Sequence, residues 1–199
     1  MAAFDNLPAR IRAFIAIDGN AEAARAVDAL INELRTPHDA INWIHGANLH
    51  LTLRFLGDAI DSALVPALVA RLEQIAAGTA PFVIRMRGTG AFPGLERPRV
   101  LWVGLESPKL MALAADVERA AVAAGYEPEP RPYTPHLTIG RVRAPHRFRA
   151  LRPAFERTAD RDFGAIHAAA MTLYRSQLTP DGANHHALAT FHFRAEPGG

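Results

Sequence analysis

At 199 residues the chain suits one large domain or two small lobes that share an interface. A composition of 49% hydrophobic and 21% charged residues supports a substantial core and excludes a disordered chain, while a formal net charge of +2 forces no broad basic face. The absence of cysteine excludes a disulfide framework, a thiol nucleophile and a thiolate metal site, and fits a reducing compartment.

The opening MAAFDNLPARIRAF lacks a basic region followed by a long apolar run, and no later segment approaches the ~20 apolar residues of a membrane span. The expected location is therefore the cytoplasm, away from membranes. Arg12 to Ile17 (RAFIAI) reads as a buried strand, ended by the turn-like Asp18-Gly19-Asn20. Ala24, Val27, Leu30, Ile31 and Leu34 recur at helical spacing and predict an amphipathic helix over Ala21 to Leu34. Asn42-Trp43-Ile44 leads into HLTLRFLG, His50 to Gly57, which reads as a strand ended by Gly57-Asp58. A second helix is predicted from Ser62 to Ala77, with Leu64, Leu68, Leu72 and Ile75 inward. Pro66 falls in its first turn, where a missing N–H costs little.

Phe82 to Gly88 (FVIRMRG) alternates, with Arg85 and Arg87 on one face, and Val100 to Leu105 (VLWVGL) is almost wholly apolar; both read as strands. A third helix is predicted from Pro108 to Ala124, closed by Gly125. The stiff loop Glu127 to Pro135 (EPEPRPYTP) then delivers the chain to HLTIGR, His136 to Arg141, a shorter echo of the first motif. Beyond it Arg147 to Glu156 reads as a short helix, and Ile166 to Tyr174 and Ala187 to Phe193 as strands joined by the turn-rich TPDGAN. The order β-α-β-α-β-β-α-β-α-β-β predicts an α+β fold of mostly antiparallel sheets with helices outside. The unit strand, helix, motif strand occurs twice, over Arg12–Phe55 and Val100–Arg141. That repetition suggests one bilobal, pseudo-symmetric domain over residues 1–199, with its motifs facing across a central cleft.

Side chains two apart in a strand share a face. Regular parity therefore sets His50, Thr52 and Arg54 on one face, with Leu51, Leu53 and Phe55 toward a core. In the second copy His136 and Thr138 share a face, and Arg141 joins them only if the strand ends or bulges. Histidine titrates near pH ~6.5, so near neutrality one copy can be neutral and the other charged. Phosphoester hydrolysis needs that pair: a base for the water and an acid for the leaving oxygen, on opposite sides of phosphorus. Each Thr hydroxyl can donate to a non-bridging oxygen. The scheme calls for no metal or other cofactor. His185, His186 and His192 lack carboxylate or thiolate partners at familiar ligand spacings, so no metal site is expected there.

The pair HLTLRFLG and HLTIGR resembles the two signatures of the 2H phosphoesterases, and within them the bacterial RNA 2′,3′-cyclic phosphodiesterases, formerly called 2′-5′ RNA ligases. The likeness extends through RAFIAI, Trp43, AFP…RPRVLWVGL, RPYTPHLTIGR and LYRSQLTPDGA, nearly the whole chain. The resemblance implies His50 and His136 as the catalytic pair, with Thr52, Thr138 and Arg141 holding phosphate. His50 would protonate the leaving 3′ oxygen and His136 would activate water, leaving a 2′-phosphate. The implied partner is RNA with a 2′,3′-cyclic phosphate end, or a cyclic nucleotide, and the implied state a monomer. Ligation at the same site, action on another small cyclic phosphate, or non-catalytic binding of RNA ends stand as alternatives, the last disfavoured by the intact histidine pair. Arg54 reads as either a ligand or a solvated strand charge, and Phe55 and Tyr133 as packing residues that could touch substrate. The sequence departs from the family where an aromatic usually follows the TPDG turn: Asn184-His185-His186 stands there instead.

Overall fold

The computed structural model describes residue 4 and residues 6–46, 49–179 and 182–194. The chain opens with β1 (Arg10–Asp18) and α1 (Ala21–Leu34). Asn20 starts the helix, its side chain accepting from the Ala23 N–H at 2.8 Å. The apolar stripe of α1, Ala23, Val27, Leu30, Ile31 and Leu34, is the face it buries. There follow β2 (Ile41–Trp43), β3 (His50–Asp61), α2 (Val65–Ala77), β4 (Phe82–Phe92), β5 (Val100–Glu106) and α3 (Pro108–Ala123). The last elements are β6 (His136–Val142), α4 (Pro145–Glu156), β7 (Asp162–Ala168), β8 (Ala170–Thr179) and β9 (Gly182–His192). Ser62–Leu64, read from sequence as the start of the second helix, forms a 3-10 turn capped by the Asp61 side chain.

The strands form two antiparallel sheets, ordered β3-β1-β8-β9 and β2-β6-β5-β4-β7. Apart from the extra edge strand β2, the two orders correspond: motif strand β3 lies beside β1, and motif strand β6 beside β5, each the strand that precedes the intervening helix. The helices cross over. α1 leaves the first sheet and packs against β7 of the second with α4, while α3 leaves the second sheet and packs against β3 with α2. Each sheet thus buries one face on helices and keeps the other for the cleft, and the exchange ties the halves together. The buried cluster runs through both sheets, from Ile15 and Leu51 to Leu101, Val103 and Leu137.

Three sequence expectations need correction. Trp43 does not lead the first motif strand; β2 pairs with the second motif, Trp43 opposite Gly140, so it sits in the other sheet. Ile166 to Tyr174 is not one strand. The chain changes sheets at Ala169, β7 pairing with β4 and β8 with β1. Nothing local marks the break, because alanines on both sides of it serve either strand equally. The last strand also begins earlier than expected, since β8 and β9 pair up to Thr179 opposite Gly182. That puts Asn184-His185-His186 in a strand, not a turn; Pro180 and Asp181 of the expected turn lie outside the described residues.

Candidate active site

A β-bulge follows each motif threonine. In the first copy Thr52 pairs with Ala16 but Arg54 with Ile15, so Leu53 is the extra residue. In the second copy Thr138 pairs with Trp102 but Gly140 with Leu101, so Ile139 is the extra residue. Both extra residues are buried, Leu53 at 4% and Ile139 at 0% exposure, which anchors the two irregularities in the core. The parity reverses beyond each bulge. The residue three past the threonine, not two, returns to the cleft face: Phe55 in one copy and Arg141 in the other. Arg141 therefore joins His136 and Thr138, as the bulged alternative in the sequence required.

Arg54 is the counterpart correction. Regular parity placed it beside His50 and Thr52, but the bulge turns it to the opposite face, where it is 7% exposed. Its Nε lies 2.5 Å from Glu118 and its Nη1 3.2 Å from Glu129, and Nη1 and Nη2 donate to the carbonyls of Phe55 and Glu127 at 2.6 and 2.5 Å. Arg54 is neither a solvated charge nor a cleft residue; it fastens α3 and the Glu127–Pro135 loop to the first motif strand. Tyr133, in that loop, packs its ring against the core with its hydroxyl buried, and burial raises the hydroxyl's pKa.

On the first sheet the His50 ring stacks on Phe14, centroids 4.9 Å apart, and meets His185 edge-on at 5.2 Å. Phe14 stacks in turn on Tyr174 at 5.2 Å, whose hydroxyl donates to Asp18 at 2.7 Å. Burial and Asp18 together push the Tyr174 hydroxyl up to about 12, so it remains a donor. Phe55, now facing the cleft, lies under the Arg12 guanidinium at 4.4 Å, and Arg12 also pairs with Asp58. On the second sheet His136 meets Phe92 edge-on at 4.9 Å. Its Nδ1 lies 2.7 Å from the Thr134 carbonyl, which can only accept, so Nδ1 carries the proton and Nε2 presents a lone pair.

Burial is the main cause that lowers the His136 pKa; the Thr134 hydrogen bond opposes it and the Arg141 charge adds to it. His185 is also lowered, by burial first and then by His50, Arg12, His186 and Arg141. β3 and β6 lie against each other, and the Arg141 charge of the second sheet reaches Arg12 and His185 of the first.

Arg12, Phe14 and Tyr174 are not among the candidates that the sequence offers. RAFIAI reads as a buried strand, yet Arg12 and the following Asp18, at matching parity, mark one face of β1 as polar. In the sequence His185 stands out as a departure from the family pattern and as part of a histidine group without metal-ligand spacing.

Two antiparallel sheets that each bring a His-x-Thr strand to a shared cleft, with exchanged helices outside, define the class: a 2H phosphoesterase fold. TT0787 of Thermus thermophilus has the same architecture, with a TM-score of 0.79 at 29% identity, covering 94% of this chain and 100% of that one. E. coli LigT complexed with 3′-AMP matches with a TM-score of 0.72 at 25% identity, covering 92% of this chain and 98% of that one. The profile of the 2′-5′ RNA ligase superfamily matches residues 21–177. An RNA 2′,3′-cyclic phosphodiesterase of Methanothermobacter thermautotrophicus is 32% identical over 87% of this chain and 94% of its own length. One of Thermotoga maritima is 32% identical over 86% and 90%. The chain belongs to the 2′-5′ RNA ligase superfamily.

Proposed function

We propose that the protein hydrolyses 2′,3′-cyclic phosphate ends of RNA to 2′-phosphate ends, by acid and base catalysis between His50 and His136 without a metal ion. What supports the reading is that each sheet carries a His-x-Thr strand and that a bulge returns Arg141 to the face of His136 and Thr138. The names borne by the relatives agree with that chemistry. Neutral His136, its Nδ1 proton held by the Thr134 carbonyl, takes a proton from water through Nε2. The water oxygen bonds to phosphorus as the bond from phosphorus to the 3′ oxygen breaks, and His50 supplies the proton that the 3′ oxygen needs. Thr52 and Thr138 donate to the non-bridging oxygens, and Arg141 offsets their charge. The two imidazoles finish with protonation states exchanged and reset through solvent. The superfamily description favours a second reading at the same site: an RNA 5′-hydroxyl in place of water would give a 2′-5′ linkage.

Incubation of each 2′,3′-cyclic mononucleotide, and of a short RNA with a cyclic end, in excess EDTA tests this, with products assigned by phosphorus NMR. Release of the 2′-phosphate by wild type is expected, with kcat/KM reduced by roughly 10²–10⁴-fold in His50→Ala and in His136→Ala. Activity only with added metal, or full activity of either variant, would overturn the mechanism.

A further inference from the structure

Arg12, Ser176 and His185 stand side by side across three neighbouring strands of the first sheet: Arg12 pairs with Ser176, and Ser176 with His185. Strand parity puts them on the cleft face, since Arg12 lies two residues from Phe14, Ser176 two from Tyr174, and Phe14 meets the rings of Tyr174 and His185. In each residue a polar atom is buried without a hydrogen-bond partner among the described residues: Arg12 Nε, Ser176 Oγ and His185 Nδ1. Ser176 is 5% exposed. One orphaned buried donor costs ~1–3 kcal/mol, and isolated cases are rare. Three in adjoining register positions, on a face that needs no polar group for folding, mark a surface shaped for something polar. Its charge gives the sign. Beyond burial, Arg12 and His185 both feel Arg141 from the opposite sheet, and His185 feels His50 and Arg12 as well, so cationic groups outnumber the one carboxylate, Asp58, that pairs with Arg12, and the surface favours an anion. Phe14, stacked on His50 and edge-on to His185, connects this row to the catalytic histidine and offers an aromatic bed between them.

We propose that Arg12, Ser176 and His185 form a second anion subsite, beside the reacting phosphate, that holds the 5′-phosphate of the terminal nucleotide. The proposal rests on the RNA-end reading above and deepens it: the favoured substrate carries two phosphates, not one. Arg12 Nε–H and Ser176 Oγ–H donate to the phosphate oxygens, and His185 adds Nδ1–H in the corresponding tautomer. The phosphate can be a terminal monoester or the diester that joins the preceding nucleotide, and the two sources share this chemistry.

Calorimetric titration with adenosine 2′-phosphate and with adenosine 2′,5′-bisphosphate reads the subsite without turnover. Wild type should bind the bisphosphate about tenfold tighter or more. Arg12→Gln and Ser176→Ala should each bring that ratio toward one, Ser176→Ala serving where loss of the Arg12–Asp58 pair harms folding. Using a ratio cancels any damage common to both ligands. In parallel, kcat/KM is compared for adenosine 2′,3′-cyclic phosphate, its 5′-phosphorylated form and the dinucleotide with the same cyclic end. Preference for both of the latter supports the subsite with either source, and preference for only one identifies the source. A wild-type affinity ratio near one, or variants that weaken both ligands equally, would overturn the subsite. Turnover of the cyclic mononucleotide with no gain from the added phosphate refutes the subsite and leaves the hydrolytic reading standing. Absence of turnover on every substrate, with the bisphosphate preference intact, refutes hydrolysis and leaves the subsite standing.

Discussion

Arg54→Met separates a ligand from a structural cation in the first motif. The guanidinium is buried and meets two carboxylates, Glu118 and Glu129, and two backbone carbonyls. Removing one member of a buried ion pair costs roughly 3–5 kcal/mol. Here the carboxylate side chains left behind are 31% and 36% exposed, so water restores part of their solvation. That discount brings the expected loss to about 3 kcal/mol, with the Met chain retaining the apolar contacts of the Arg stem. For a chain of this size that corresponds to a Tm lower by roughly 6–12 °C. Urea unfolding gives the free energy, and kcat/KM on a cyclic nucleotide, measured well below Tm, gives the functional effect. Activity should fall by less than about tenfold, against a loss on the order of 10²-fold for Arg141→Gln, which under the proposed function removes a donor to the reacting phosphate. An Arg54→Met protein with unchanged Tm but activity as low as that of Arg141→Gln would refute the bulge argument and restore Arg54 to the substrate.

As the proposed base, His136 acts only while neutral, and its pKa lies below the ordinary 6.5 through burial and then Arg141. The acid limb of kcat/KM should therefore fall below pH 6.5, and Arg141→Gln should move it upward; a wild-type limb above 6.5 would contradict the assignment of His136 as base. His136 and His185 both bind protons less readily folded than unfolded. Their contribution to stability is thus full above about pH 6.5 and declines as pH falls through the folded values, which denaturant midpoints at several pH values will show. In Gly90→Ala the new Cβ would fall 2.2 Å from the Trp102 ring, which lies against this glycine. The ring must move, at a cost of ~1–3 kcal/mol by urea unfolding, and because Trp102 pairs with Thr138 and touches Phe92, kcat/KM should drop with it.

Periodicity was enough to place the helices and most strands, because apolar stripes such as Val27, Leu30, Ile31 and Leu34 are the surfaces that pack, and a stripe is visible in sequence. The repeated His-x-Thr within apolar strands likewise marked the candidate histidines and threonines before any fold was known. Partner choice was not legible in this way. Ala169 separates strands of different sheets, and Trp43 pairs with the second motif although it precedes the first, because pairing depends on residues far away along the chain. Face was only half legible. Alternation assigns it as long as a strand stays regular, and one extra residue reverses every side chain beyond it. Thus Arg141 required a bulge and has one, while the matching bulge at Leu53 sent Arg54 to the glutamates and brought Phe55 to the cleft. Sequence by itself determined which residues are candidates for the chemistry, since proton carriers and hydroxyls are fixed by side-chain type. Only the tertiary structure decided which of them meet, because the cleft is assembled from two sheets whose register, bulges and exchanged helices are long-range properties of the whole chain.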